Sequence, residues 1–133
     1  MSPRTGDARV RTIGAAGTGT GGVVAGLHDW IDGHDAHVQA AVWLLLAHEV
    51  WPRRADFLRA CVNRSPDGAW WIDFRAARIA FDNGEFDAGS STEWAVLDLV
   101  ITLGTDRFRF RAMGPGNARS VATAVAHAVG ADR

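Results

Sequence analysis

Arginine and phenylalanine alternate near the end of the chain, and these arginines are the side chains best suited to bind a charged partner. Arg107, Arg109 and Arg111 are separated by single phenylalanine residues. Alternate residues of a β-strand point to the same face, so the pattern predicts a strand over 107–113 with guanidinium groups repeating every ~6.6 Å. Such a row can bind phosphate groups. The alternative is a solvated sheet face whose arginines pair with carboxylates.

Tryptophan provides the second candidate surface, because the chain has six tryptophans and no tyrosine. Trp70 and Trp71 are adjacent in a predicted strand over 69–73 and must point to opposite faces, so both cannot enter one core. Trp71 and Trp51 are the two that we expect in an interaction surface, since tryptophan is enriched at interface hot spots. Core packing is the alternative for both. Two neighbouring cations extend this candidate surface: Arg53 and Arg54.

Three histidines lie close together between residues 28 and 37, interleaved with aspartates. Imidazole and carboxylate groups are ligands for divalent metals, so His28, His34 and His37 are candidate metal ligands. Their spacing matches no established metal-binding template. The alternative is a polar loop whose aspartates cap the next helix.

A glycine-rich stretch contains Gly17-x-Gly19-x-x-Gly22, which matches the dinucleotide-binding fingerprint in its letters. The fingerprint binds a cofactor only between a strand and a helix, with an acidic residue about 20 positions later at the end of a second strand. Residues near 42 lie in an apolar helical pattern, so we predict a flexible linker and no cofactor. A P-loop is excluded because all 14 cationic side chains are arginines and none is a lysine.

Composition restricts the function further. The net charge of −1 argues against general binding to nucleic acid or to an anionic membrane, although a local basic patch remains compatible with it. The lack of lysine excludes Schiff-base chemistry and a lysine general base, and with the high alanine and glycine content it indicates a GC-rich, bacterial genome. One cysteine, no signal peptide and no apolar run of membrane-spanning length predict a cytoplasmic protein.

The elements that must position these residues follow from periodicity and turn signals. We predict an α+β protein with about five helices, a small two-stranded sheet and the order α-α-β-α-α-β-α. Residues 1–26 are predicted to be a disordered tail and glycine-rich linker, and 27–133 one globular domain. For Val23 to Trp30, at this boundary, two alternatives are open: a short helix or an extended arm that packs on the domain. The predicted helices cover about 36–49, 53–63, 74–83, 90–103 and 117–129, and Ser90 with Glu93 three residues later forms a candidate capping box at the start of the fourth. The first of them is apolar on almost all sides, which favours a central position or an oligomer interface.

No nucleophile, acid/base pair or metal template stands out, so the leading hypothesis is a non-catalytic interaction module, with a homodimer as one form of it. Its partner would be itself or another protein. The expected contact surface comprises Arg107, Arg109, Arg111, Trp71, Trp51, Arg53 and Arg54. The first alternative is a small nucleic-acid-binding regulator that uses the arginine row. The second is a metal-dependent enzyme that uses the histidine cluster.

Overall fold

The chain folds into a mostly helical domain with one small hairpin. A computed structural model describes residues 19–132. The helices are α1 (Gly19–Ile31), α2 (Ala36–His48), α3 (Ala55–Cys61), α4 (Phe74–Asp82), α5 (Ser91–Gly104) and α6 (Ala118–Ala128). The strands are β1 (Val62–Arg64) and β2 (Trp70–Ile72). Short 3-10 turns lie at Trp51–Arg53, Phe110–Met113 and Pro115–Asn117.

Helices α2 and α5 pack against each other in antiparallel directions and form the centre of the domain. At one end, His37 Nδ1 near the start of α2 lies 3.1 Å from the carbonyl oxygen of Leu103 near the end of α5. At the other end, Trp51 Nε1 donates to the carbonyl oxygen of Glu93 at 3.1 Å. The largest fully buried side chains are Trp51, Phe57, Leu27, Leu45, Leu97 and Ile101.

The hairpin covers one side of α1. Its strands pair antiparallel, with Asn63 opposite Trp71. Trp70 and Ile72 point into the core, whereas Trp71 is 38 % exposed, as two adjacent residues of a strand require. Trp70 packs directly on Gly26 of α1, where even a Cβ atom would collide with the indole ring.

Local signals explain where the middle helices begin. Ser90 accepts a hydrogen bond from the Glu93 amide while the Glu93 carboxylate accepts one from the Ser90 amide, which forms the predicted capping box of α5. Asp73 caps α4 by accepting from the Ala76 amide. Helix α2 ends at Glu49, whose φ of 68° is left-handed and takes the role that glycine usually has.

Two predictions about the sheet were wrong. Residues 107–113 do not form a strand: Arg109 has a positive φ of 49°, which interrupts an extended backbone, and a 3-10 turn follows. The strand that pairs with β2 is Val62–Arg64 instead, which the helical spacing had assigned to the end of the second helix. The order is therefore α-α-α-β-β-α-α-α, with six helices among the described residues rather than five.

The predicted N-terminal linker was wrong in its last part. Residues 19–26, which we expected to be linker, belong to α1, and its Val23, Leu27 and Ile31 are buried. This spacing forms one apolar stripe on a helix. The rest of the predicted tail, residues 1–18, lies outside the described residues. None of the helices within residues 19–132 combines the length and the hydropathy that a membrane-spanning helix requires.

Candidate interaction surfaces

The last fifth of the chain makes almost no contact with the core. We call residues 107–132 the C-terminal segment; none of its residues is buried. It nevertheless contains most of the large apolar side chains that the described residues expose to solvent. These are Phe108, Phe110, Met113, Val125 and Val129, with Val129 the most exposed at 68 %. Exposed apolar side chains concentrated in one segment mark a contact surface more often than scattered ones do.

Helix α6 within this segment is clearly amphipathic. Val121, Val125 and Val129 follow one another at a spacing of four residues and form an apolar stripe. Arg119, Thr123 and His127 follow the same spacing on the opposite side. A shallow open groove adjoins the stripe, between the preceding turn and the helix, and is lined by Met113, Asn117, Ser120, Val121 and Ala124. The apolar stripe of α6 therefore has no core residue packed over it.

Charge is divided unevenly along the chain. The C-terminal segment contains four arginines and one acidic side chain, Asp132, which pairs with His127. Residues 19–106 contain six arginines against thirteen acidic side chains. Among the described residues, no carboxylate pairs with the four segment arginines. They are Arg107, Arg109, Arg111 and Arg119. The segment is therefore a basic, apolar surface attached to an acidic body.

A second exposed apolar surface lies on the central helix pair. Ala40, Trp43 and Ala47 lie on the side of α2 that faces away from the core, and Trp43 is 56 % exposed. Leu99 is exposed on the neighbouring α5. The antiparallel packing places Trp43 and Leu99 at about the same level along the pair. We call these four residues the α2/α5 outer face.

Several carboxylates surround one end of this face. Asp32 and Asp35 lie in the turn between α1 and α2, and Asp106 lies two residues after the end of α5. The contact between His37 and Leu103 brings the start of α2 and the end of α5 together, so these three carboxylates share one end of the helix pair. The α2/α5 outer face is thus an apolar strip with an acidic end.

The structure distributes the predicted contact residues over different places. Arg107, Arg109 and Arg111 are all exposed, but the turn that they occupy does not align them in one row. Trp71 is exposed on the hairpin. Trp51 is 0 % exposed and belongs to an aromatic cluster with two phenylalanine rings about 6 Å away, so it has no surface left for a partner.

The two predicted cations beside Trp51 are already paired. Arg53 forms an exposed ion pair with Glu49. Arg54 forms two hydrogen bonds with Asp56, and its guanidinium lies 4.5 Å from the centre of the Trp51 ring. The hydrogen bond with Asp56 raises the pKa of Arg54 above its usual value. Both arginines therefore bind groups near the turn between α2 and α3, and they do not form a free basic patch.

Two of the three candidate metal ligands make other contacts, and the third is exposed. His34 Nδ1 accepts a hydrogen bond from the Asp35 amide, and its ring packs edge-on against Trp30. His37 contacts the Leu103 carbonyl group. His28 lies exposed on α1. Over residues 19–132, no group of three or more histidine, cysteine, aspartate or glutamate side chains could hold a metal ion.

The single thiol is unsuited to nucleophilic chemistry. Cys61 is buried at the end of α3, where its Sγ lies 3.3 Å from the Phe57 carbonyl oxygen. Burial raises the pKa of the Cys61 thiol far above its usual value, so the reactive thiolate does not form at neutral pH. Cys61 is therefore a core residue.

Trp43, Leu99, Met113 and the apolar stripe of α6 are exposed residues that the sequence did not mark as a surface. One signal pointed to Trp43: a helix that is apolar on almost all sides cannot bury every side in a small domain. Comparison with known proteins does not add to these observations, because no family model, curated protein or solved structure matches the chain at a significant level.

Proposed function

We propose that this chain is a non-catalytic protein-interaction module and that its contact surface is the C-terminal segment. One observation carries the proposal: a segment with five exposed large apolar side chains and four arginines has no buried residue. A binding surface needs apolar area that a partner can cover and cations that fix orientation, and this segment supplies both.

The stability of α6 supports the same conclusion. The helix has 11 residues, and isolated helices shorter than ~12–15 residues are marginal in water. Alanine fills five of these positions and favours the helix, so its short length and its lack of packing limit its stability more than its composition does. A partner that covers Val121, Val125 and Val129 would supply the tertiary packing that the rest of the described chain does not give this helix.

The charge distribution favours a protein partner over nucleic acid. The arginines are not aligned as a phosphate-binding row, and the body that carries them has a large acidic excess. A polyanion would be repelled by that body at distances below the Debye length of about 10 Å. A protein surface with its own carboxylates and apolar patch matches the segment better.

Capture of partners by the immobilised full-length chain tests this proposal. The variants are Phe110→Asp combined with Val125→Asp in the segment, and Ile79→Asp as a matched control, since Ile79 is also an exposed apolar side chain but lies on α4. We expect wild type and the control to retain the same protein from a nuclease-treated extract of the source cells, and the double variant to lose it.

Purified components then give the decisive result. The captured protein is purified and titrated calorimetrically into all three chains, and we expect binding that the double variant weakens by about tenfold or more. Equal affinity of the double variant and wild type would contradict the proposal. Salt-sensitive binding of wild type to random duplex DNA, with no protein partner, would favour the nucleic-acid alternative instead.

A further inference from the structure

The basic, apolar C-terminal segment and the α2/α5 outer face with its acidic end are complementary in charge and in apolar character. We propose that the partner is a second copy of this chain, and that the C-terminal segment of each copy packs on the α2/α5 outer face of the other. This inference rests on the proposed function, because it names the occupant of the same contact surface.

Charge complementarity is the first support. The segment carries four arginines without an ion pair, and the body carries carboxylates that likewise have no cation partner among the described residues. Asp32 and Asp106 are of this kind, and Asp35 has only a 3.8 Å contact with a histidine. All three lie at the acidic end of the α2/α5 outer face. A second copy therefore brings oppositely charged groups to the segment.

Apolar complementarity is the second support. The α2/α5 outer face presents one large exposed aromatic side chain, Trp43, flanked by the small residues Ala40 and Ala47. Small residues beside a large one leave a depression into which side chains of a partner helix can pack. The α6 stripe has medium-sized valines at a spacing of four residues, which is also the spacing of Trp43 and Ala47 on α2.

A dimer in which each copy packs its segment on the other copy contains the contact twice, which favours association even though a single contact is small. Each exposed side chain of the segment gains only a modest free energy on burial, because part of its surface is already covered. The loss of translational and rotational freedom on association opposes that gain. In a two-fold dimer the same contact forms twice while this loss occurs once. An arrangement in which each copy donates its segment and receives the partner's is therefore favoured over a single contact.

Sedimentation equilibrium of the full-length chain tests the inference. The donor variant is Val125→Asp, and the recipient variants are Trp43→Glu and Ala47→Glu, two exposed positions on α2 whose substitution leaves the core untouched. The control is Ile79→Asp. Circular dichroism verifies that each variant is folded, and two recipient variants are used so that misfolding of one does not remove the test.

We expect wild type and Ile79→Asp to dimerise at chain concentrations on the order of 100 μM, and the donor and recipient variants to dimerise about tenfold or more weakly. An equimolar mixture of Val125→Asp and Trp43→Glu chains keeps one intact contact, so it should form a mixed dimer more readily than either variant forms its own. This recovery is specific for a segment that packs on a different face.

Other results overturn the inference and remain distinguishable from failure of the proposed function. If Val125→Asp abolishes dimerisation and both recipient variants dimerise like wild type, the segment pairs with something other than the α2/α5 outer face. If wild type is a monomer throughout, the second copy is not the partner. In both cases the proposed function stands whenever the segment still binds another purified protein.

Discussion

Replacement of Gly26 by alanine should destabilise the protein, because α1 and the hairpin meet there at a distance that only glycine allows. A Cβ atom at position 26 would lie 1.8 Å from Cδ1 and 2.4 Å from Cγ of Trp70. Carbon atoms in contact are normally about 3.5–4.0 Å apart. The indole ring would have to move by roughly 2 Å, or α1 would have to separate from β2.

Two opposing free-energy changes decide the magnitude. Overpacking of a core costs about 1–3 kcal/mol, and the short distance places this site at the upper end of that range. Alanine in place of glycine within a helix returns up to about 1 kcal/mol. The Trp70 ring has little freedom to move, since it is 6 % exposed and lies beneath the Arg64 guanidinium. We therefore expect a net loss of about 2 kcal/mol in the free energy of unfolding.

Urea denaturation followed by far-ultraviolet circular dichroism measures this loss. Gly21→Ala is the matched control, because it lies in the same helix and no atom comes within 4 Å of its added Cβ. The control should be neutral or stabilising by less than about 1 kcal/mol. If Gly26→Ala proves as stable as wild type or more stable, the described contact between α1 and Trp70 is incorrect.

Three further outcomes follow from individual contacts. Ser90→Ala removes the capping box of α5 and should cost about 1 kcal/mol in urea denaturation, whereas Ser91→Ala should cost clearly less; equal effects would contradict the assigned cap. Burial alone would raise the pKa of Asp56, but the hydrogen bonds from Arg54 and from the Phe57 amide, together with the charge of Arg54, outweigh it and lower the pKa. Wild type should therefore have a higher free energy of unfolding than Asp56→Asn at pH values above the unfolded pKa of about 4. This difference should disappear as the pH falls through the lower pKa of the folded state. A difference that persists undiminished in strong acid would contradict this. Cys61 should react with a disulfide reagent slowly in the native protein and rapidly in urea, and equal rates would show that the thiol is not buried.

Local signals in the sequence were sufficient for most helices. The helices predicted over 74–83 and 90–103 are confirmed to within one residue at each end, because their caps and apolar stripes are set by residues close in sequence. The capping box at Ser90 was predicted from two residues three positions apart. The helix predicted over 36–49 was likewise confirmed, since α2 spans Ala36–His48.

Long-range pairing could not be predicted in the same way. Strand β1 is three residues long, which is too short for alternation to distinguish it from the end of a helix. The alternation at 107–113 is the clearest strand pattern in the sequence, yet those residues have no neighbouring strand to pair with in the described structure. Alternation shows only that a strand, if it formed, would have one apolar and one polar face. A stable strand also needs a neighbouring strand with which its backbone can form hydrogen bonds.

The candidate surface was predictable only in part, for a similar reason. That Trp70 and Trp71 point to opposite sides follows from their adjacency in a strand. The burial of Trp51 depends on Phe86, which lies 35 positions later and packs against it with ring centres 5.7 Å apart. The exposure of α6 depends on which helices pack on the core, and its own apolar stripe would have served equally well for a buried helix.

Hydrogen–deuterium exchange as a function of chain concentration tests the central claim most directly. If the C-terminal segment is stabilised by a second copy, the amides of α6 should exchange rapidly in dilute solution and become protected as the concentration rises, while the amides of α5 stay equally protected throughout. Protection of α6 that does not change with concentration, whether high or low, would contradict the account.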